Sequence, residues 1–228
     1  MPNTTKAPAS PHARLPDNGT LLKDRAYAAL KDRIVTGVYA PGTFLSERKL
    51  VEQLDMSKTP IRSALERLEA EGMVSISPRQ GIVVREPSLQ EIGDQFAIRL
   101  ALERYVLESL AGRLTKEQVQ LVRDNLRSQQ QAAQQGDLAA SIRLDGEFHA
   151  LFCEFLGNRE ILGVIRHLRE RMTFVIGLVF RQNVDRMVPN WQEHRAIAQA
   201  VIDGDADEAV ARLKKHLEYG KQMLLSRP

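Results

Sequence analysis

The chain has 228 residues, 43% of them hydrophobic and 27% charged, which suits one or two globular domains with a real core. No apolar run approaches the roughly 20 residues of a membrane-spanning helix, and the first residues lack the apolar segment of a secretory signal, so we expect no membrane association. The formal net charge of +3 lies wholly in residues 1–86, which hold 13 Lys and Arg against 10 Asp and Glu. Such an excess favours a nucleic-acid partner only slightly.

Residues 1–19 are rich in Pro, Thr, Ala and Asn and are predicted to be a flexible tail. Helical spacing of apolar residues predicts a first helix over residues 21–36, and "ERKLVEQLD" and "SKTPIRSALERLEAEG" predict two more. In "MVSISPRQGIVVRE", Val74 and Ile76 alternate with serines, "PRQG" forms a turn, and the apolar run 82–84 returns, which predicts a short β-hairpin. Three helices and a hairpin indicate a winged helix-turn-helix over residues 20–86.

From Ser88 onward the chain carries helical patterns and no strand signal. The six predicted helices span residues 88–112, 115–135, 137–156, 159–181, 189–203 and 205–226. The residues that stand where helix caps belong are Thr115, Asp137, Asn158 and Asp205. Short connections between six helices predict an antiparallel all-helical bundle over residues 87–228, so the fold class is mainly α.

Two smaller features of this bundle concern burial. The glutamine-rich run "QQQAAQQ", residues 129–135, is predicted to be an exposed helix face. The single cysteine, Cys153, lies in an apolar helical pattern and has no partner for an internal disulfide. It is predicted to be a packed thiol, which is typical of a reducing cytoplasm.

The start of the third predicted helix carries short hydroxyls and two cations, on Ser57, Lys58, Thr59 and Arg62. Helix amides and such donors together suit a contact with DNA. The core-facing stripe lies on the opposite side of this helix, at Ile61, Leu65 and Leu68. The alternative is an ordinary capped amphipathic helix in which Arg62 pairs with Glu66.

A second cluster of polar residues lies on apolar helix stripes. Asp145 and His149 are one turn apart on one predicted helix, and His194 and His216 lie on the apolar stripes of two others. Three imidazoles and one carboxylate suit Zn²⁺ or another divalent ion. The alternative is a hydrogen bond between Asp145 and His149, with two unrelated core histidines. His167 is flanked by arginines and is predicted to face solvent.

The segment "GVYAPGTFLSERKLVEQLDMSKTPIRSALERLEAEGMVSISPRQGIVV" resembles the winged-helix domain of the GntR family of bacterial transcription regulators. The resemblance implies DNA contacts from the second helix, the start of the third and the wing tip. The matching positions are Arg48, Ser57, Lys58, Thr59, Arg62, Gln80 and Gly81. Lys58 departs from the arginine frequent there, and lysine lacks the bidentate fork, so a phosphate contact or a looser base contact is expected.

Residues 92–220 resemble the FCD ligand-sensing domain of the FadR subgroup, through "IRLALE", "DGEFHALFCEFLGN" and "EHRAIAQAVIDGDADEA". The resemblance implies one divalent metal per subunit, with Zn²⁺ favoured and Ni²⁺ or Mn²⁺ as alternatives. Its ligands would be Asp145, His149, His194 and His216. Arg99 matches a position that holds an effector carboxylate, and its alternative role is a salt bridge with Glu103 along the helix. The apolar walls of the effector site are expected from Phe148, Phe152, Phe174 and Ile176.

Together these patterns and resemblances predict a ligand-responsive repressor that binds double-stranded operator DNA as a homodimer and senses a small organic acid at the metal site. Two alternatives remain open, a metal-dependent hydrolase fused to a DNA-binding domain and a direct metal sensor. The His-Glu-x-x-His pattern of many zinc hydrolases is absent. Glu147 and Glu193, the nearest candidate bases, are predicted to point away from the apolar stripe.

Overall fold

The computed structural model describes residues 21–77 and 81–225, without the side chains at positions 170, 171, 174, 175, 178, 179, 181, 182, 224 and 225. The first part is a winged helix-turn-helix, as predicted. Its elements are α1 (Leu22–Val35), β1 (Phe44–Leu45), α2 (Glu47–Leu54), α3 (Lys58–Ala70), β2 (Val74–Ser77) and β3 (Gly81–Val84). The strands form an antiparallel sheet in the order β1-β3-β2.

Strand β1 was not predicted. Phe44 pairs with Val83 and Leu45 with Ile82, so two residues extend the hairpin into a three-stranded sheet. Two residues are too few to show an alternation of apolar and polar side chains, so this strand is recognised only by its pairing with β3.

The core of the winged helix follows the apolar stripe of α3. Ile61, Leu65 and Leu68 are at most 2% exposed and pack against Leu30 and Ile34 of α1. Burying a side chain of this size stabilises the fold by about 1.5–3 kcal/mol. The stripe therefore fixes which face of α3 is left for solvent.

The remainder of the described chain is a helical bundle. Its helices are α4 (Leu89–Leu110), α5 (Lys116–Gln135), α6 (Leu138–Leu156), α7 (Arg159–Gln182), α8 (Met187–Asp203) and α9 (Ala206–Leu225), with one 3-10 turn at Val184–Arg186. These bounds lie within a few residues of the predicted ones. All four predicted caps accept hydrogen bonds from backbone amides of the first helical turn. Within the described residues, no helix has the length and apolarity to cross a membrane.

The two parts of the chain contact each other through α1. Val35, at the end of α1, belongs to the hydrophobic core of the bundle, whereas Leu30 and Ile34 belong to the core of the winged helix. Helix α1 also lies against α7. Helix α7 in turn contributes Met172 to the core of the bundle.

Candidate functional site

Four predicted metal ligands meet in the interior of the bundle. Asp145 and His149 lie on α6, His194 on α8 and His216 on α9. One ligand atom from each can be chosen so that all four atoms lie within 4.8 Å of one another. All four residues are at most 6% exposed. The structure thus brings together, from three helices, the residues that the sequence predicted as one set.

Each of the three histidines has a hydrogen-bond acceptor at Nδ1, on the side of the ring away from the other ligands. The Nδ1 atoms lie 2.7 Å from Glu103 Oε2 (His149), 2.8 Å from Gln129 Oε1 (His194) and 2.8 Å from Glu193 Oε2 (His216). An imidazole that donates from Nδ1 presents the lone pair of Nε2 on its other side. This arrangement is typical of metal-binding histidines, whose second nitrogen is oriented by an outer partner.

The Nε2 atoms face the centre of the cluster. His149 Nε2 is buried and has no hydrogen-bond partner among the described residues, and His194 Nε2 lies 3.3 Å from His216 Nε2. A buried polar atom without a partner costs about 1–3 kcal/mol. Two lone pairs directed at each other repel unless a cation lies between them. These residues therefore fit a divalent ion better than a set of unrelated core histidines.

The carboxylate of the cluster is fixed from α8. Asn190 donates from Nδ2 to Asp145 Oδ1 at 2.9 Å, and His194 Nε2 lies 3.5 Å from the same oxygen. The predicted alternative, a hydrogen bond between Asp145 and His149, does not occur among the hydrogen bonds of the described residues. Instead, His149 pairs with Glu103.

Burial favours the neutral form of His194 and His216. It is the largest cause that lowers the pKa of His194 well below its ordinary value, and the neighbouring His216 lowers it further. Burial also lowers the pKa of His216, against the raising effect of Glu193. A metal ligand must be a neutral imidazole. Burial therefore favours the required protonation state at these two residues.

Arg99 makes the buried salt bridge that was its alternative role. Its Nε lies 2.7 Å from Glu103 Oε1, and both side chains are at most 8% exposed. Burial acts to raise the pKa of Glu103, but Arg99 and His149 outweigh it and bring the pKa to about 2. Glu103 is thus an anion shared between Arg99 and His149.

Two small cavities adjoin the cluster. One of about 40 Å³ is lined by Arg99, Asp145 and His216, and one of about 20 Å³ by Arg99, Asp145, His149 and Arg169. Since a water molecule needs about 10–15 Å³ of such space, each can hold one or a few waters.

The residues expected as walls of the effector site have different surroundings in the structure. Ile176 lines both cavities. The ring of Phe148 instead stacks on His194, with 4.2 Å between ring centroids, and Phe152 lies edge-on to Phe148. The side chain of Phe174 lies outside the described residues.

Several outer residues of the site were missed or misplaced. Gln129 is 4% exposed, although the glutamine run was predicted to face solvent. Its spacing from Val122 and Leu126, seven and three positions earlier, was the signal for burial. Glu193 was predicted to point away, yet its carboxylate contacts His216, whereas Glu147 does lie outside and pairs with Arg143.

Five of the predicted DNA-contact residues lie on α2 or at the start of α3. Exposed side chains are found at Arg48, Ser57, Lys58, Thr59 and Arg62. Ser57 holds the N-cap position of α3 without capping it by a side-chain hydrogen bond. Gly81 at the wing is exposed with φ +79, and Gln80 lies outside the described residues. Arg62 pairs with Glu47 of α2 rather than with Glu66.

Comparison with known proteins gives two family matches. Residues 22–84 match the bacterial regulatory proteins of the GntR family, and residues 94–219 match the FCD domain. The second match covers more than half of the chain.

Relatives and solved structures agree with these matches. An HTH-type transcriptional regulator from an unstable DNA locus of Streptomyces ambofaciens is 30% identical, over 88% of this chain and 84% of its own length. The gluconate operon transcriptional repressor of Bacillus licheniformis is 26% identical, over 85% and 81%. The crystal structure of a GntR transcriptional regulator from Rhodococcus sp. RHA1 superposes with a TM-score of 0.78 at 22% identity, covering 90% of this chain and 99% of that one, and so agrees in fold.

Proposed function

We infer that this chain, which belongs to the GntR family of bacterial regulatory proteins and carries an FCD domain, is a repressor whose operator binding responds to a small organic acid held at a metal site. The relatives are transcriptional regulators and not enzymes, so the hydrolase alternative is wrong. The observation that carries the proposal is the buried cluster of Asp145, His149, His194 and His216, whose Nε2 atoms converge while every Nδ1 has an acceptor.

The donor set indicates which metal the cluster would hold. Three neutral imidazoles and one carboxylate suit Zn²⁺ best, and Ni²⁺ or Mn²⁺ also accept them. A bound divalent ion would supply positive charge and free coordination positions for a ligand oxygen. Glu103, Gln129 and Glu193 would orient the imidazoles from behind.

The charges around the cavities favour an anionic effector. Arg99 and Arg169 both line the cavity beside His149, so a metal and two guanidinium groups would face one small space. An arginine binds a carboxylate in bidentate fashion, although Arg99 now donates from Nε to Glu103. One relative is named as the repressor of a gluconate operon, and gluconate is a sugar acid.

The winged helix would read operator DNA as one half of a homodimer in the cytoplasm. A single recognition helix reads only a few base pairs, so two copies on an inverted repeat are expected. The exposed cations Arg48, Lys58 and Arg62 support this proposal. The dimer would have one arrangement that binds the operator and one that does not. An effector can change the affinity for DNA only if it binds one of these arrangements more tightly than the other.

A thermal-shift screen tests the proposed effector site. Sugar acids, hydroxy acids and dicarboxylates are each added to the metal-free and the Zn²⁺-loaded protein. We expect an acid that binds through the metal to raise Tm only in the loaded protein and to lose this effect in His194→Ala. His167→Ala, which changes an exposed histidine of α7, is the matched control and should behave as wild type.

Two outcomes would contradict the proposal. If acids shift the metal-free protein equally, the metal has no part in binding them. If Zn²⁺ alone changes operator affinity and no acid adds to it, the chain is a direct metal sensor.

A further inference from the structure

A chain of side-chain amides connects His194 to the backbone of α6. Gln129 Oε1 lies 2.8 Å from His194 Nδ1, Gln129 Nε2 lies 2.6 Å from Asn125 Oδ1, and Asn125 Nδ2 lies 3.4 Å from the carbonyl oxygen of Leu144. Gln129 is buried and Asn125 is half-buried, both on α5. Three helices thus share one hydrogen-bonded row.

The carbonyl oxygen of Leu144, at the end of the row, determines which group donates and which accepts in each of these hydrogen bonds. A backbone carbonyl only accepts, so the amino group of Asn125 must face Leu144. Asn125 Oδ1 then faces Gln129 and takes its amino group, which turns Gln129 Oε1 toward His194. An amide oxygen only accepts, so His194 Nδ1 carries the proton and Nε2 presents its lone pair to the cluster.

The other two histidines need no such row. His149 and His216 each face a carboxylate, Glu103 and Glu193, and a carboxylate is an acceptor whichever way it turns. A glutamine can present either its oxygen or its amino group. His194 is therefore the ligand whose tautomer depends on a residue beyond its direct partner.

We propose that Asn125, through Gln129, sets the tautomer of His194 and so prepares the cluster for a divalent ion. This inference rests on the proposed metal site. Asn125 acts as a positioning residue, because none of its hydrogen bonds among the described residues reaches the four ligand side chains. Without it, the Gln129 amide can rotate, donate to His194 Nδ1 and move the proton to Nε2, where it blocks coordination.

The tautomer can be measured in the metal-free protein. Long-range ¹H–¹⁵N correlation spectra of the histidine rings distinguish a proton on Nδ1 from one on Nε2. We expect the Nδ1 tautomer for His194 in the wild type and a mixture of both in Asn125→Leu. A wild-type proton on Nε2 of His194 would overturn the inference, whether or not the protein binds metal.

Zn²⁺ affinity, measured by competition with a chelating dye, is the second readout. Loss of an outer partner weakens metal binding by about 10- to 100-fold, which we expect for Asn125→Leu. The double variant Asn125→Leu/Gln129→Glu places a carboxylate behind His194, as in the other two histidines, and should regain most of the lost affinity. Gln131→Leu, at an exposed position of α5, should bind as wild type.

The outcomes separate this inference from the proposed function. Wild-type affinity and an unchanged tautomer in Asn125→Leu would make the row merely structural. If the double variant binds as weakly as Asn125→Leu, orientation of Gln129 is not the cause. A wild type that binds no Zn²⁺ but shows the predicted tautomers would refute the metal site and leave the row intact. Asn125→Ala replaces Asn125→Leu if circular dichroism shows that the latter does not fold.

Discussion

Arg62 on α3 lies against Glu47 on α2, with 2.9 Å between Arg62 Nε and Glu47 Oε1. The arginine side chain remains 64% exposed. Exposed ion pairs of this kind contribute only about 0–1 kcal/mol, so the pair can be exchanged for a contact with a base or a phosphate at little cost. Arg62 therefore remains available for another partner despite its contact with Glu47.

The first prediction concerns Arg62→Ala. Loss of a bidentate contact with guanine costs about 1–3 kcal/mol and relaxes the sequence preference, so operator binding should weaken by that amount and lose specificity. The measurement is fluorescence anisotropy with a duplex selected from random sequence by the wild type. Arg104→Ala is the matched control, because Arg104 is 61% exposed and pairs with Glu108 on the bundle. Unchanged affinity in Arg62→Ala would refute the DNA face.

The second prediction concerns metal removal. At a hundredfold excess over Kd, a metal that binds only the folded state stabilises it by about 2.7 kcal/mol. For a chain of this size, Tm should rise by about 5–10 °C when Zn²⁺ is restored to the chelator-treated protein. His149→Ala should abolish the rise and His167→Ala should retain it. Elemental analysis without metal, together with no rise for Zn²⁺, Ni²⁺ or Mn²⁺, would favour unrelated core histidines.

The third prediction is a pH dependence at the junction of the two parts. The backbone amide of Ser88 and the Arg85 side chain lower the pKa of Glu91 from 4.5 to about 2. A carboxyl group whose pKa is lowered in the folded state stabilises the fold fully at pH values above its pKa in the unfolded chain. This stabilisation is lost as the pH falls toward 2. Glu91→Gln should therefore lower Tm at pH 7, and this deficit should shrink steadily below pH 4.5. A deficit independent of pH would contradict the ion pair.

The fourth prediction concerns the thiol. Burial, assisted by the charge of Glu103, raises the pKa of Cys153 to about 12. Because the thiolate is the reactive form, reaction with a disulfide reagent at pH 8 should be roughly a thousandfold slower in the native protein than in urea. Cys153 is the single cysteine, so the labelled fraction reports this site alone. Rapid labelling of the native protein would show that the α6 core opens.

The sequence predicted the helices well because their signals are local. Apolar spacing and cap residues placed α5 at residues 115–135, and the helix spans Lys116–Gln135. Strand β1 could not be predicted in the same way, since Phe44 and Leu45 become a strand only by pairing with β3. The apolar stripes of the helices also predicted the four interior polar residues, because an Asp or His at an apolar position of a helix is visible in the sequence itself.

The outer residues of the site could not be predicted as well. Whether a polar side chain beside an apolar stripe turns inward depends on how the helices cross, which one helix pattern does not contain. Glu193 directly precedes His194, yet it contacts His216 on α9. Gln129 lies inside a run of glutamines, and the polar composition of this run favoured exposure, although the spacing of Gln129 from the apolar residues of α5 indicated burial.

Helix α1 contributes residues to both hydrophobic cores of the molecule. Its residues Leu30 and Ile34 are built into one hydrophobic core and Val35 into the other, so neither core can melt without disturbing the helix that both share. Calorimetry should therefore record a single transition, and whatever binds in the bundle should protect the recognition helix from heat and proteolysis. Mutations that weaken the bundle would then reduce DNA binding by lowering the amount of intact protein in the cell, even though they lie far from α3.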